Sequence, residues 1–338
     1  MEIDKNNFCW ISFPNGIQKF DGNSFENIPA QHGLPDDKFV KFFRCQNGDL
    51  LISHSKGISK YNIDADNFSL VYRQPATSQQ APIIIGEYSG TLYCYDTNSG
   101  TITGLSSTGF NVLSIFKTNL PASIWDVDNR LQFSDNIIDN KAAMKIGKMV
   151  YLLDLKEKKI IGQSFIETIV YSFTLKLKSS HEFFYYDTAL QCWDFKTNSN
   201  RTIKVKGEHN KVFSRCVIFP WQNKMLISFN NQIFETDSTL QILKSELVNF
   251  QNLPVAGGAG IPNIKEDNFG NLYLQTVNGG IRKIIRNNYP IKYFGTSDFK
   301  KNNILAILPD KKNNRVLIGG TGGLFIFDTL QRLLKHID

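Results

Sequence analysis

The sequence has 338 residues, a formal net charge of +7, and 41% hydrophobic, 12% aromatic and 20% charged residues, a balance that excludes a disordered chain and provides for a sizeable core. The positive excess is spread thinly: Lys156-Glu157-Lys158-Lys159 and Lys311-Lys312 sit where turns are expected, so nothing gathers basic residues on one face for nucleic acid. No apolar run is long enough to span a membrane and no secretory signal is present.

In chain order, Met1 to Asp4 read as the tail of a strand, which implies that whatever preceded them has been removed. EIDKNNFCWISFPNGIQKFDG, Glu2 to Gly22, is the first of several similar units. The second is FFRCQNGDLLISHSKGISKYN, Phe42 to Asn62. Weaker copies follow at Pro82 to Leu105, Met144 to Phe165, Phe183 to Val205 and Met225 to Ser245. Clear copies return at Ile264 to Ile284 and Ile307 to Asp328, and Leu330 to His336 follows as a fourth strand should.

In the clear units an apolar strand ends in a polar turn rich in Asn or Gly. The second strand carries a large residue, Trp10, Leu51, Tyr273 or Leu317. A glycine (Gly16, Gly57, Gly279 or Gly323) then opens a third strand. Gly and Asn recur because tight turns need positive φ. Short strands between such turns make an antiparallel meander, which cannot bury both faces unless it stacks against the next copy. Several third strands close on an acidic residue before a turn, at Asp21, Asp96, Asp154, Asp194 and Asp328.

Second strands recur at about the 40 to 50 residues of a propeller blade. The step near Ile84 is short and the one before Met144 is long. The expected fold is all-β, a β-propeller of seven or eight four-stranded antiparallel blades. Residues 1–338 read as a single domain of eight repeat units, the first truncated at its N-terminal strand.

The four clear units resemble the two-component regulator propeller repeat. That repeat runs as an apolar strand, Asp-x-x-Gly, a Leu-Trp-Ile-Gly-Thr-like strand, then Gly-Leu-x-x-Tyr/Phe-Asp. The match is best at Asp267-Asn268-Phe269-Gly270-Asn271-Leu272-Tyr273-Leu274-Gln275-Thr276, and nearly as good at Cys9 to Ser12 followed by Gly16 to Gly22. His32-Gly33-Leu34-Pro35 and Phe39 to Phe42 match the linker and innermost strand, whereas Arg73 to Phe250 departs from the pattern. The resemblance implies the extracytoplasmic, periplasmic sensor half of a membrane histidine kinase. It further implies an oligosaccharide or other small ligand, the remainder of the kinase as partner, and a homodimeric parent without direct membrane insertion here.

The five cysteines, Cys9, Cys45, Cys94, Cys192 and Cys216, are odd in number, form no C-x-x-C pair and lie in or beside apolar runs. They read as small buried hydrophobes, and the lack of a disulfide framework favours a reducing compartment, against the localisation that the resemblance implies.

Catalytic patterns are missing from the sequence. His32, His54, His181, His209 and His336 are scattered without metal spacing, so no metal or other cofactor is expected. Gly257-Gly258-Ala259-Gly260 and Gly319-Gly320-Thr321-Gly322-Gly323 lack the helix and Gly-Lys-Ser/Thr of a phosphate loop and read as turns. There is no Gly-x-Ser-x-Gly elbow, and only folding could bring a glycosidase carboxylate pair together. The chain is therefore expected to be non-catalytic.

In a propeller the loops joining strands two and three gather on one face with the inter-blade connections, which places Asn15, His54, Lys56, Asn278 and Thr321 near a common rim. Trp125, Trp193 and Trp221 are candidates for stacking on a sugar, and Arg215 and Trp221 flank a loop-like segment containing Pro220. Beside the sensing module stand two other functions, a protein-interaction scaffold and a glycan hydrolase or lyase, because one fold hosts many.

Overall fold

The computed structural model describes residues 1–13, 16–29, 33–34, 39–75, 80–118, 131–134, 136–166, 175–186, 190–203, 217–221, 224–229, 232–237, 242–249, 263–276, 280–284, 304–310, 313, 315–320, 323–328 and 333–337. Two compact units divide the chain, Met1–Ile285 and Arg286–Asp338.

The first unit holds seven antiparallel sheets, each a meander in chain order. The first sheet is β1 (Glu2–Ile3), β2 (Cys9–Phe13), β3 (Gly16–Phe20) and β4 (Phe25–Ile28). The second is β5 (Phe39–Arg44), β6 (Leu50–His54), β7 (Gly57–Asn62) and β8 (Asn67–Arg73). The third is β9 (Ile83–Tyr88), β10 (Thr91–Asp96), β11 (Thr101–Ser106) and β12 (Val112–Lys117). β13 (Leu131–Phe133), β14 (Lys141–Ile146), β15 (Met149–Asp154) and β16 (Lys159–Phe165) make the fourth. The fifth is β17 (Leu175–Leu177), β18 (Glu182–Tyr186), β19 (Leu190–Asp194) and β20 (Ser199–Ile203). The sixth is β21 (Val217–Trp221), β22 (Lys224–Phe229), β23 (Gln232–Thr236) and β24 (Ile242–Asn249). β25 (Asn263–Glu266), β26 (Leu272–Thr276) and β27 (Gly280–Ile284) are the described strands of the seventh. The second unit holds one sheet of β28 (Ile304–Asp310), β29 (Arg315–Gly320), β30 (Gly323–Asp328) and β31 (Leu333–Ile337).

The core lies between sheets. Side chains alternate along a strand, so one strand serves two interfaces. Leu50 and Ile52 of β6 pack with Trp10, Ile17 and Ile28 of the first sheet, while Leu51 between them packs with Ile84 and Leu92 of the third. Ala142 and Met144 of β14 face Tyr93, Tyr95 and Ile102, and Ala143 faces Leu175, Leu177 and Phe183 of the fifth sheet. Leu226 and Ile233 of the sixth sheet cluster with Ile264, Leu272 and Leu274 of the seventh. The seventh then packs on the first, Tyr273 joining Ile3, Cys9 and Ile11. Lys265 Nζ pairs with Glu2 Oε2 at 2.6 Å, and the Asn268 backbone N–H donates to Asn7 Oδ1 at 2.8 Å.

The four described cysteines, Cys9, Cys45, Cys94 and Cys192, are free and buried, as the sequence indicated. Burial pushes the thiols of Cys9 and Cys45 up to about 12 and that of Cys192 up to about 11.

Two sequence readings are corrected. The unit at Ile84 is shifted by one strand: β9 is the first strand of its sheet, so Asp96 closes the second strand. A tight Ser89-Gly90 turn joins strands one and two here, and it looks the same in sequence as the turn that joins strands two and three elsewhere. Pro220 and Trp221 lie within β21, not in a loop. Proline fits because β21 is an edge strand, where a missing N–H removes no obligatory ladder bond. Asp154, Asp194 and Asp328 do end third strands, and Asp21 directly follows one.

Trp10 is fully buried, and its Nε1–H donates to Asp4 Oδ2 at 2.8 Å. Its ring lies 4.5 Å from Tyr61 and 5.6 Å from Phe68, centroid to centroid. Trp10→Ala should cost about 3–5 kcal/mol, read as a lowered urea midpoint with the slope preserved.

Carboxylates close several turns by accepting backbone N–H groups. Burial alone would raise the pKa of Asp154, but the Glu157 N–H, the Lys141 ammonium at 2.6 Å and the Lys156 N–H together hold it below the ordinary value. The N–H groups of Ser24 and Asn23 lower Asp21 likewise. A depressed carboxylate contributes stability that is present above its unfolded pKa and is lost as pH falls through its folded pKa. Urea midpoints should therefore fall below about pH 4, and Asp154→Asn should be less stable near neutrality with a shallower acid limb.

Candidate functional site

Each sheet has two ends. The upper end carries the turn between strands two and three and the exit of strand four, and the lower end carries the other two turns. Three successive sheets build their upper ends in the same way. The Gln74 N–H donates to Lys56 O at 3.3 Å, the Thr118 N–H to Gly100 O at 2.9 Å, and the Ile166 N–H to Lys148 O at 2.8 Å. In each case the residue leaving the fourth strand is tied to the turn carbonyl of its own sheet. Side chains reinforce two of these ties: Gln74 Nε2 donates to Ser55 O, and Thr118 Oγ1 to Gly100 O at 2.9 Å.

His54 ends β6 at this face and is fully buried. Its Nδ1 accepts the Lys56 N–H at 3.2 Å, so the neutral ring carries its proton on Nε2 and donates to Ser59 Oγ at 2.9 Å. The ring thus fixes the turn that presents Lys56, whose side chain is exposed. Ser53, next to it, is buried with no partner for its Oγ among the described residues.

The fourth sheet adds a feature that the sequence reading missed. Lys145 on β14 is only 7% exposed, and desolvation holds its amine below the ordinary value. It pairs in register with Gln132 of β13 and Val150 of β15, close to the turn at Gly147 and Lys148. A lysine inside the apolar run Ala-Ala-Met-Lys-Ile was the available signal. The described rim turns carry the exposed Lys56, the half-buried Lys148, and the exposed Asn98 and Ser99 of the third sheet.

Trp221 does not join this rim. It lies at the lower end of β21, where it meets Lys224 in register and packs into the cluster formed by the sixth and seventh sheets. Trp193 packs against the cluster between the fourth and fifth sheets. The indole N–H of each is buried without a partner among the described residues. Asn15, Trp125, Arg215, Asn278 and Thr321 lie outside the described residues. No group of three or more His, Cys, Asp or Glu that could hold a metal ion occurs among the described residues.

Replacing His54 by Leu would leave the Lys56 N–H and the Ser59 hydroxyl without their ring partner. It should cost about 1–3 kcal/mol in chemical denaturation, and Ser59→Ala should cost less.

No protein-family model matches the sequence, and no curated protein does. Solved structures match it at low identity. The extracellular domain assigned to the hybrid two component system BT3049 of B. thetaiotaomicron aligns with a TM-score of 0.58 and 15% identity, over 99% of this chain and 46% of that one. The extracellular domain assigned to the one component system BT4673 of the same organism gives 0.55 and 18%, over 98% and 45%. Virginiamycin B lyase from Staphylococcus aureus gives 0.57 and 13%, over 84% and 93%. This chain spans less than half the length of the two extracellular domains. At identities this low the alignments show the fold alone: the chain is an all-β propeller of four-stranded antiparallel blades.

Proposed function

We propose that this chain is the extracytoplasmic ligand-sensing module of a two-component histidine kinase, exposed to the periplasm and responding to an oligosaccharide-like ligand. The observation that carries the reading is the alignment of nearly the whole chain with the extracellular domains assigned to two signalling systems. The repeat motif around Asp267 to Thr276 supports it independently. Its partner is the remainder of a sensor kinase, which acts as a homodimer, and this part performs no catalysis. His54, the described histidine closest to the rim turns, spends both ring nitrogens on its own turn.

A thermal-shift screen of the purified chain against a panel of oligosaccharides tests this. A ligand at 100 times its dissociation constant should add about 2.7 kcal/mol of apparent stability. A specific shift without turnover is the expected result. Turnover of the ligand would replace the reading by a lyase or hydrolase, in line with the lyase neighbour. A flat response, together with tight capture of a purified partner protein, would replace it by a scaffold role.

A further inference from the structure

The lower ends of the first two sheets enclose a cleft of about 390 Å³. Small-molecule sites run from about 300 to 1,000 Å³, so it could hold one or two sugar-sized rings. Asp4 and Lys5 of the β1–β2 turn form one wall, Gly48 and Asp49 of the β5–β6 turn a second, and Asn62 to Asp64 after β7 a third, with Leu50 and Tyr61 at the base.

The walls are fixed before any ligand arrives. Asp4 accepts the N–H groups of Asn6 at 2.9 Å and Phe8 at 3.0 Å as well as the Trp10 indole. Asn62 Oδ1 accepts the Asp64 N–H at 3.1 Å. The Asp49 N–H is held by Asn47 Oδ1 at 3.0 Å. Gly48 has a φ of +88°, a backbone conformation that glycine adopts without strain, and this fixes the second wall.

The groups left over are mixed in kind. Lys60 holds Asp49 Oδ2 at 2.8 Å, leaving Asp49 Oδ1 as an acceptor. Lys5 Nζ, Asn62 Nδ2, the Asp64 carboxylate and the Ser69 hydroxyl line the same cleft with no partner among the described residues. An anionic ligand would meet Asp4, Asp49 and Asp64, and a cationic one would meet Lys5 and Lys60. A hydroxyl both donates and accepts, so a neutral polyhydroxylated molecule matches donors and acceptors set side by side without bringing a like charge against either set.

We infer that this cleft is a ligand site, distinct from the upper rim, for a neutral saccharide. The choice of a saccharide rests on the sensing reading, and the place rests on the geometry of the cleft. Titration calorimetry of the full chain with glucose, maltose, cellobiose, glucuronate, glucosamine and calcium chloride tests it. One neutral sugar should bind more tightly than glucuronate, glucosamine or calcium. A double variant, Asp64→Ala with Ser69→Ala, removes exposed groups that no described residue contacts through the side chain, so it should fold with an unchanged melting temperature. Its affinity for that sugar should fall at least about tenfold. Absence of neutral-sugar binding, tighter binding of a charged probe, or full affinity in the double variant would overturn the assignment. Loss of binding in Lys56→Ala with the double variant unaffected would place the sugar at the upper rim, overturning the cleft while leaving the sensing reading intact.

Discussion

Burial of sheet faces against one another is the constraint on which the first unit depends. A four-stranded meander of this composition has apolar residues on both faces, and water can be kept from neither unless a sheet stands on each side. The alternation of Leu50, Leu51 and Ile52, all at or below 2% exposure, shows one strand meeting that demand in two directions at once. The return contact of Tyr273 with Ile3, Cys9 and Ile11 gives the first sheet a cover that its sequence neighbour alone does not supply. Polar groups complete that junction, because the Asn268 turn bonds to Asn7, Lys5 and Arg44.

Much of this was legible in the sequence, for a local reason. The glycines expected to open third strands at Gly16, Gly57 and Gly323 have φ of +143°, +139° and +105°. A single residue's backbone freedom therefore announces the turn. Which strands a turn joins is not a local property. The tight Ser89-Gly90 turn reads the same whether it follows a first or a second strand, and only packing between neighbouring sheets fixes the order. Pro220 misled for a related reason, since proline signals a loop until the edge position of its strand is known.

The site was less legible than the fold. His54 and Lys56 were readable as turn residues, yet neither the burial of the imidazole nor its bond to Ser59 follows from their spacing. Lys145 is visible in sequence only as a lysine out of place, and its burial comes from packing that the run Ala-Ala-Met-Lys-Ile does not announce. The cleft between the first two sheets is harder still, because three separate turns contribute its walls. Placing the functional surface on one face by analogy with propeller geometry leaves the opposite face unread.

The buried cysteines bear on where such a domain can live. Disulfide exchange and oxidation proceed through the thiolate, and a thiol must also be reached by the oxidant. Cys9, Cys45 and Cys192 sit in interiors that hold their thiols at about 12, 12 and 11, so almost none of each is thiolate at neutral pH. Cys94, also buried, is raised as well. An unpaired count reads in sequence as a mark of a reducing compartment, but these four sulfurs are packing atoms with little redox chemistry to lose. The folded state itself shields these four thiols from oxidant and from exchange.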